Sequence, residues 1–526
     1  GVRDEGSGSI GRKAWKISGL REKGARNMSS SPADIGDKIE RFRSGENLRV
    51  LDLFAGCGGF SLGFNQGGYE IAGGVEIDPH AAMTHAANFH NVVPDRRVDP
   101  DKFASDITSM EPQDLTLNGR SFNDDIDVII GGPPCQAYAR VGRAKLREVN
   151  NHPEAYRIDP RGNLYMRYLA YVSHLRPLAL VMENVPDALN YGGHNVAQEV
   201  ADVLVEQGYD CTYTILNAVF YGVPQLRDRL FLVAFRKELG ASIGFPQPTH
   251  MYDLPRGYEN SRTKLISAVN SGTLFEKNLG ALPPVPGADA VLEAVSAEEA
   301  LADLPILKEH LSGDKIRGRR EPHETMDYSV NVNLSAYATK MRSWPGFEAG
   351  NRTDGHLTRL LPRDYPIFRA MGPGDEYPEA HEKAEKLFQE RLGKLQEEGR
   401  APQAGTPEYI KLRKDCVPPY DPTKFPNKWR KMDRNEPART LLAHLGKDSY
   451  THIHYDSQQA RTITVREAAR LQSFPDGFKF FGSMSSAFRQ IGNAVPPILS
   501  HRIAESVMET LVAATKSKSV RRRQVS

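Results

Sequence analysis

The stretch DVIIGGPPCQAYARVGR, Asp127 to Arg143, constrains this chain more than any other. Its short apolar run, Val128 to Ile130, reads as a buried strand that ends in Gly131-Gly132 and two prolines. Proline lacks an amide N–H and fixes φ, so Pro133 and Pro134 stop the strand and stiffen the turn behind it. Cys135 is therefore expected at the carboxyl edge of a strand, where open α/β sheets place their ligands. A lone cysteine is ordinarily a small buried residue. The polar, arginine-rich loop that follows favours an exposed thiol instead, and the pattern assigns Cys135 the role of nucleophile.

Two more strand ends carry chemistry. The run LRVLDLF, Leu48 to Phe54, reads as a buried strand followed by AGCGGFSLGF. Glycines at 56, 58 and 59 permit a tight turn and close backbone approach to a ligand. The helix expected from about Phe60 offers its positive end to an anionic group. A second strand, Tyr69 to Val75, ends in Glu76, placed where an acid can accept hydrogen bonds from both ribose hydroxyls. Asp106, in SDIT, stands at a third strand edge, either reading an adenine amino group or closing a turn. Cys57, inside the glycine loop, reads as a packing residue.

Beyond the Cys135 loop, Leu164 to Leu175 reads as a helix and Leu178 to Met182 as a further buried strand. That strand delivers Glu183-Asn184-Val185 to the same sheet edge as the thiol. In QLRDRLFLVAF, Arg227 and Arg229 alternate onto one face of an extended segment. Their guanidinium groups suit a carboxylate and a carbonyl oxygen.

Composition neither adds to nor removes from this picture. A chain of 526 residues has room for two or more domains, and 39% hydrophobic with 25% charged residues is ordinary for a globular protein. A net charge of +2 does not announce nucleic acid, though a local basic groove can hide in that sum. Cysteines 57, 135, 211 and 416 show neither metal-ligand spacing nor a disulfide framework, so no metal is expected. A reducing compartment suits them. No apolar run is long enough for a membrane span and no signal peptide is visible, which reads as an intracellular, cytoplasmic protein. Residues 1–45, rich in Gly, Ser, Lys and Arg, are expected to be a disordered basic extension, with Met28 a candidate native start. Residues 516–526 read as a loose basic tail.

Taken together, DLFAGCGG, the Glu76 strand end, PPCQ, ENV, QLRDR, EPARTLLAH and RQIGNAVPP resemble the C5-cytosine DNA methyltransferase family, in the family's order from Asp52 to Pro497. The resemblance implies a Rossmann-like α/β fold, a doubly wound and mostly parallel sheet, carrying a smaller inserted target-recognition domain. It implies S-adenosylmethionine as methyl donor, held by Phe54, Gly56, Gly58, Glu76, Asp106, Leu164 and Asn493. Cys135 would add to C6 of a flipped cytosine, Glu183 would protonate or hydrogen-bond N3, and Arg227 with Arg229 would hold Glu183 and O2. One departure is Tyr138-Ala139, where the family commonly carries Phe-Ser after PPCQ-x.

The implied organisation runs from a catalytic part, 46–243, through a target-recognition domain, 244–436, and back to the catalytic domain, 437–515. Gln136, Arg140 and Arg143 in the loop, and Lys428 and Arg430 in KFPNKWRKMDR, are the candidate DNA contacts. In that second stretch Trp429 and Lys431 join a basic-aromatic cluster. The charged helix near 379–398 reads as a surface helix. The implied partner is double-stranded DNA, with a cognate restriction endonuclease in a bacterial restriction-modification system, or none for an orphan enzyme, and a monomer suffices. A transfer-RNA cytosine methyltransferase shares the motifs, but the long recognition interval argues against it. A DNA-binding module without catalysis is opposed by intact Cys135, Glu183 and both arginines.

Overall fold

The computed structural model describes residues 34–92, 99–117, 120–121, 126–134, 164–191, 193–270, 278–312, 323–330, 332–447 and 449–524. Six strands form the central sheet: β1 (Arg49–Leu53), β2 (Glu70–Val75), β3 (Val128–Gly131), β4 (Ala179–Asn184), β5 (Tyr209–Asn217) and β6 (Asp228–Arg236). Their order is β2-β1-β3-β4-β6-β5. The first four pair in parallel, whereas β6 runs antiparallel to both β4 and β5. Strand order reverses about β1, and the carboxyl ends of β1 to β4 collect the loops that matter, as in doubly wound sheets.

Alternation explains why both faces of this sheet are covered. Val128 and Ile130 of β3 join one hydrophobic core while Ile129 joins the other; Val181 of β4 faces the first and Leu180 and Met182 the second. Helices α4 (Leu164–Leu175) and α5 (Val196–Glu206) bury their apolar stripes on the second face. On the first face lie α2 (Gly59–Gln66) and α9 (Pro497–Gln524), brought so close that a Cβ on Gly63 would stand 2.3 Å from Ser500 Oγ. The two ends of the catalytic fold therefore meet through a glycine. Between them in the chain lie α3 (Pro79–Phe89), α7 (Val465–Leu471) and α8 (Met484–Asn493).

Two expectations about the termini are corrected. Residues Ile35–Arg43 form a helix, α1, within the segment expected to be disordered. Lys38 is buried, and its ammonium donates to the carbonyls of Ile126 (2.5 Å) and Leu175 (2.7 Å), the latter at the negative end of α4. Arg41 pairs with Asp127 (2.8 Å) while Ile35 and Ile39 enter the core. At the other end, α9 continues to Gln524 through the segment read as a loose tail. Lysine and arginine are good helix formers, and extending a packed helix requires no new nucleus.

The interval 244–436 is not one packing unit. Tyr328, Tyr337, Met341 and Trp344 belong to the core on the sheet. Arg470, fully buried on α7, grips both Asp303 (3.0 Å) and Asp476 (2.5 Å). A separate core forms around Tyr365, Phe368, Trp429 and α6 (Tyr377–Glu397), whose Tyr377, Ala380, Ala384 and Phe388 make one buried stripe. Ile453 and Ala460, from beyond the interval, complete it. Among the described residues no helix is long and apolar enough to cross a membrane.

Candidate active site

Parallel pairing sets Gly131 of β3 opposite Met182 of β4, so the diproline turn leaves the sheet beside Glu183. Side chains are excluded from this junction. A Cβ on Gly131 would lie 2.4 Å from the Leu53 carbonyl, and one on Gly132 would lie 3.0 Å from Glu183 Oε2. Asn184 fastens the turn: its Nδ2 donates to the Pro133 carbonyl (2.9 Å) and contacts the Tyr165 hydroxyl (2.5 Å), while its Oδ1 accepts from Val185 N–H (2.8 Å). Sequence reasoning quoted Asn184 within a motif and missed this role. An amide is the side chain that can donate to a carbonyl and accept from an amide at once.

Glu183, 13% exposed, is held by Arg229, whose Nε lies 2.8 Å from Oε1. Burial pushes the Glu183 carboxyl above its ordinary range, with Arg229 and then Arg227 opposing the rise. Oε2 has no hydrogen-bond partner among the described residues, leaving one oxygen to offer a proton or accept one.

Arg227 does not share that task, against expectation. Its two terminal nitrogens donate to the carbonyls of Leu441 (2.9 Å), Gly492 (2.9 Å) and Ala494 (3.2 Å). It therefore ties the start of β6 to two distant segments, and among the described residues Arg229 alone bonds Glu183. Gln225 reinforces the tie, accepting from Leu441 N–H (2.9 Å) and contacting Gln472 (2.5 Å), which in turn donates to Ala494 O (2.5 Å).

At the tip of β1 the chain turns through Phe54 (φ 63°) and Gly56 (φ 54°), and nothing lies within 4 Å of a Cβ on Gly56. Glu76 braces this loop from the tip of β2. Its two oxygens accept from Gly56 N–H (2.8 Å) and Asp78 N–H (2.7 Å), and each keeps a lone pair for a ribose hydroxyl. The Ser105 amide donates to the Glu76 carbonyl (2.7 Å), which brings Asp106 to the same rim. Asp106 Oδ1 closes a turn on Thr108, through N–H (2.8 Å) and hydroxyl (2.7 Å), while Oδ2 has no partner among the described residues. Gly58, the N-cap of α2, has φ 97° and Phe89 behind it. Leu164 is half-buried at the start of α4, and Asn493 is exposed at the end of α8. An open glycine loop and a braced acid fit an adenosine-bearing ligand.

Ile77, 65% exposed between two acids, is an apolar surface on that rim that the sequence reading passed over. Behind the loop, Ser61 Oγ donates to Asp52 Oδ2 (2.7 Å) and lies 3.0 Å from His85 Nε2, a fully buried array that also went unnoticed. Cys57 is buried as expected, its thiol pushed up by desolvation. Cys211 is buried too, and Cys416 lies beside the smaller core.

Cys135, Gln136, Arg140 and Arg143 lie outside the described residues. Two members of the basic-aromatic cluster, Trp429 and Lys431, are internal, which corrects their reading as nucleic-acid contacts, while Lys428 and Arg430 stay partly exposed. Trp429 is buried and stacks on Tyr450 (4.7 Å between centroids), and Lys431 donates to Phe368 O (2.8 Å) and Ser457 Oγ (2.9 Å). Lys428 sits over the Tyr420 ring (4.1 Å), and Arg430 pairs with Glu376 (2.5 Å).

The sequence model of the family described as C-5 cytosine-specific DNA methylase matches residues 48–281 and 358–509. The protein M.OihORF3336P of Oceanobacillus iheyensis is 36% identical over 479 residues, covering 88% of this chain and 95% of the relative. The type II methyltransferase M.AgeI of Thalassovita gelatinovora is 27% identical over 485 residues, covering 88% of this chain and 99% of its own. A solved structure of a prophage-encoded protein from E. coli superposes with a TM-score of 0.53 at 22% identity, covering 89% of this chain and all of that one, a likeness of fold.

Proposed function

This chain belongs to the C-5 cytosine-specific DNA methylase family, and on that premise we propose how its own residues carry out the reaction. It is a DNA cytosine-5 methyltransferase that takes its methyl group from S-adenosylmethionine. The observation that carries the residue assignment is the Glu183–Arg229 pair at the strand edge beside the diproline turn.

Cytosine is not nucleophilic at C5 until something adds to C6. The Cys135 thiolate adds there, and the displaced electron pair flows toward N3, where Glu183 gives up or shares a proton. Its raised proton affinity supports that role. Arg229 fixes the carboxyl and neutralises it, and Arg227 positions Arg229 by anchoring the start of β6. C5, now enamine-like, becomes the carbon that is methylated; loss of its proton and expulsion of Cys135 restore the ring. When bound, S-adenosylmethionine supplies the electrophilic methyl on a sulfonium centre. Glu76 would hold the ribose, Asp106 the adenine amine through Oδ2, Phe54, Gly56 and Gly58 the methionine part, and Leu164, Asn493 and Ile77 the remaining rim. The base must leave the duplex to reach this edge, and Gln136, Arg140, Arg143, Lys428 and Arg430 are the proposed contacts to the DNA left behind.

The sheet domain and its return segment form the catalytic unit, with the core around Trp429 and α6 as the recognition unit. The enzyme acts as a monomer in the bacterial cytoplasm, in a restriction-modification system with a cognate endonuclease or as an orphan. Expression in a methylation-free bacterial host, followed by genome-wide mapping of 5-methylcytosine, tests the substrate. One short motif methylated throughout is expected. A blank map with methylated transfer RNA would refute the duplex-DNA assignment.

A further inference from the structure

Two guanidinium groups converge on one carboxylate oxygen at the start of α6. Glu376, the residue before α6, holds Arg430 through Oε1 (2.5 Å) and Arg439 through the same oxygen (3.0 Å). The two cations outnumber the carboxylate by one unit of charge. Their shared acid also stands at the electropositive end of a 21-residue helix. Pairing does not bury them: the Arg439 side chain remains 44% exposed and that of Arg430 29%.

The backbone around Arg439, by contrast, is tied down on both sides. Ala438 N–H donates to Pro224 O (3.0 Å), Thr440 Oγ1 donates to Leu226 O (2.5 Å), and Leu441 O accepts from Arg227 (2.9 Å). The carbonyl of Arg439 itself accepts from His452 Nε2 (3.1 Å). These partners run directly into Arg229, the residue that holds Glu183. A long exposed cation on a fixed backbone, beside a segment that leads to the catalytic pair three residues on, is arranged for an external anion. The fully buried pairs of Arg470 with Asp303 and Asp476 offer no such open face.

We propose that Arg439 grips a DNA backbone phosphate beside the flipped cytosine, with Glu376 holding the side chain in place until the phosphate replaces it. This rests on the duplex-DNA reading above. The duplex phosphate is dianionic in neither strand, so one guanidinium matches one phosphate in charge, and bidentate geometry suits it.

Phosphate contacts are independent of sequence, so a short random-sequence duplex serves as probe without knowledge of the target site. Affinity measured against salt for wild type, Arg439→Gln, Arg439→Lys and Glu376→Gln decides the matter. Arg439→Gln should flatten the log–log salt slope by about 0.9, which shrinks its deficit about 3-fold between about 50 mM and about 200 mM salt. Arg439→Lys should keep the wild-type slope, and Glu376→Gln should tighten binding at low salt. An unchanged slope in Arg439→Gln would overturn the proposal. So would an Arg439→Lys variant that melts early and binds as poorly as Arg439→Gln, which marks a structural strap. Failure of the underlying reading is seen separately, in wild-type protein that methylates transfer RNA and leaves duplex DNA untouched.

Discussion

Replacing Asn184 by alanine separates the role of the diproline turn from that of the groups it carries. The substitution removes a side chain that is almost wholly buried and takes its amide away from the Pro133 carbonyl. The Val185 amide, at a 37% exposed residue, can turn to water. One buried carbonyl left unpaired gives a loss of about 1–3 kcal/mol. For a domain of this size that is a fall in melting temperature of about 2–6 °C. Catalysis should suffer more than stability, because Pro133 lies two residues before the proposed nucleophile. A misplacement of about 1 Å at a reacting group can cost about 100-fold. Scanning calorimetry and single-turnover methylation, both in the presence of saturating S-adenosylmethionine, measure the two effects. Asn184→Asp sharpens the comparison: the Tyr165 hydroxyl can donate to the new carboxylate, whereas the Pro133 carbonyl faces it unpaired. Wild-type single-turnover rates in a correctly folded Asn184→Ala protein would refute the idea that this amide positions the turn.

Glu183→Gln keeps the shape but loses the proton, so the chemical step should slow by at least about 100-fold, with cofactor affinity by titration calorimetry little changed; loss of cofactor binding alone would contradict the assignment. Asp52 is held at about 7 by burial, with Ser61 opposing. An acid raised on folding adds stability at pH below its unfolded value and loses it as pH rises through its folded value. Asp52→Asn should therefore gain melting temperature relative to wild type on going from about pH 5 to about pH 8, and a constant difference would count against a protonated Asp52. Lys38→Met strands the carbonyls of Ile126 and Leu175, and should lower stability by about 2–3 kcal/mol by denaturant titration with single-turnover rates unaltered; unchanged stability would mean α1 is dispensable.

Much of the site's placement was legible because strands announce themselves by short apolar runs and end at glycine and proline. Val128 to Ile130, the ENV strand and the glycine loop all fell where the residues indicated, and helix Leu164–Leu175 matched end to end. What stayed hidden depends on partners remote in sequence. Arg227 looks like a second ligand of Glu183 because alternation puts it near Arg229, yet its acceptors are carbonyls more than two hundred residues away. Lys38 falls in a segment expected to be disordered and Lys431 in a cluster offered to nucleic acid, since nothing local reveals that backbone carbonyls of other elements will satisfy a buried ammonium. Trp429 was read for its basic neighbours, whereas Tyr450, stacked on it, comes from the far side of the EPARTLLAH segment.

The central claim is that Cys135 bonds covalently to cytosine, and a suicide substrate tests it most directly. With fluorine at C5 there is no proton to lose after methylation, so elimination of the thiol is blocked and the adduct persists. The enzyme, S-adenosylmethionine and duplex DNA carrying 5-fluorocytosine at every cytosine should yield a denaturant-stable complex, with the nucleotide mapped by peptide mass spectrometry to Cys135. An adduct on Cys57, Cys211 or Cys416, or none from protein that methylates ordinary duplex DNA, would contradict the account.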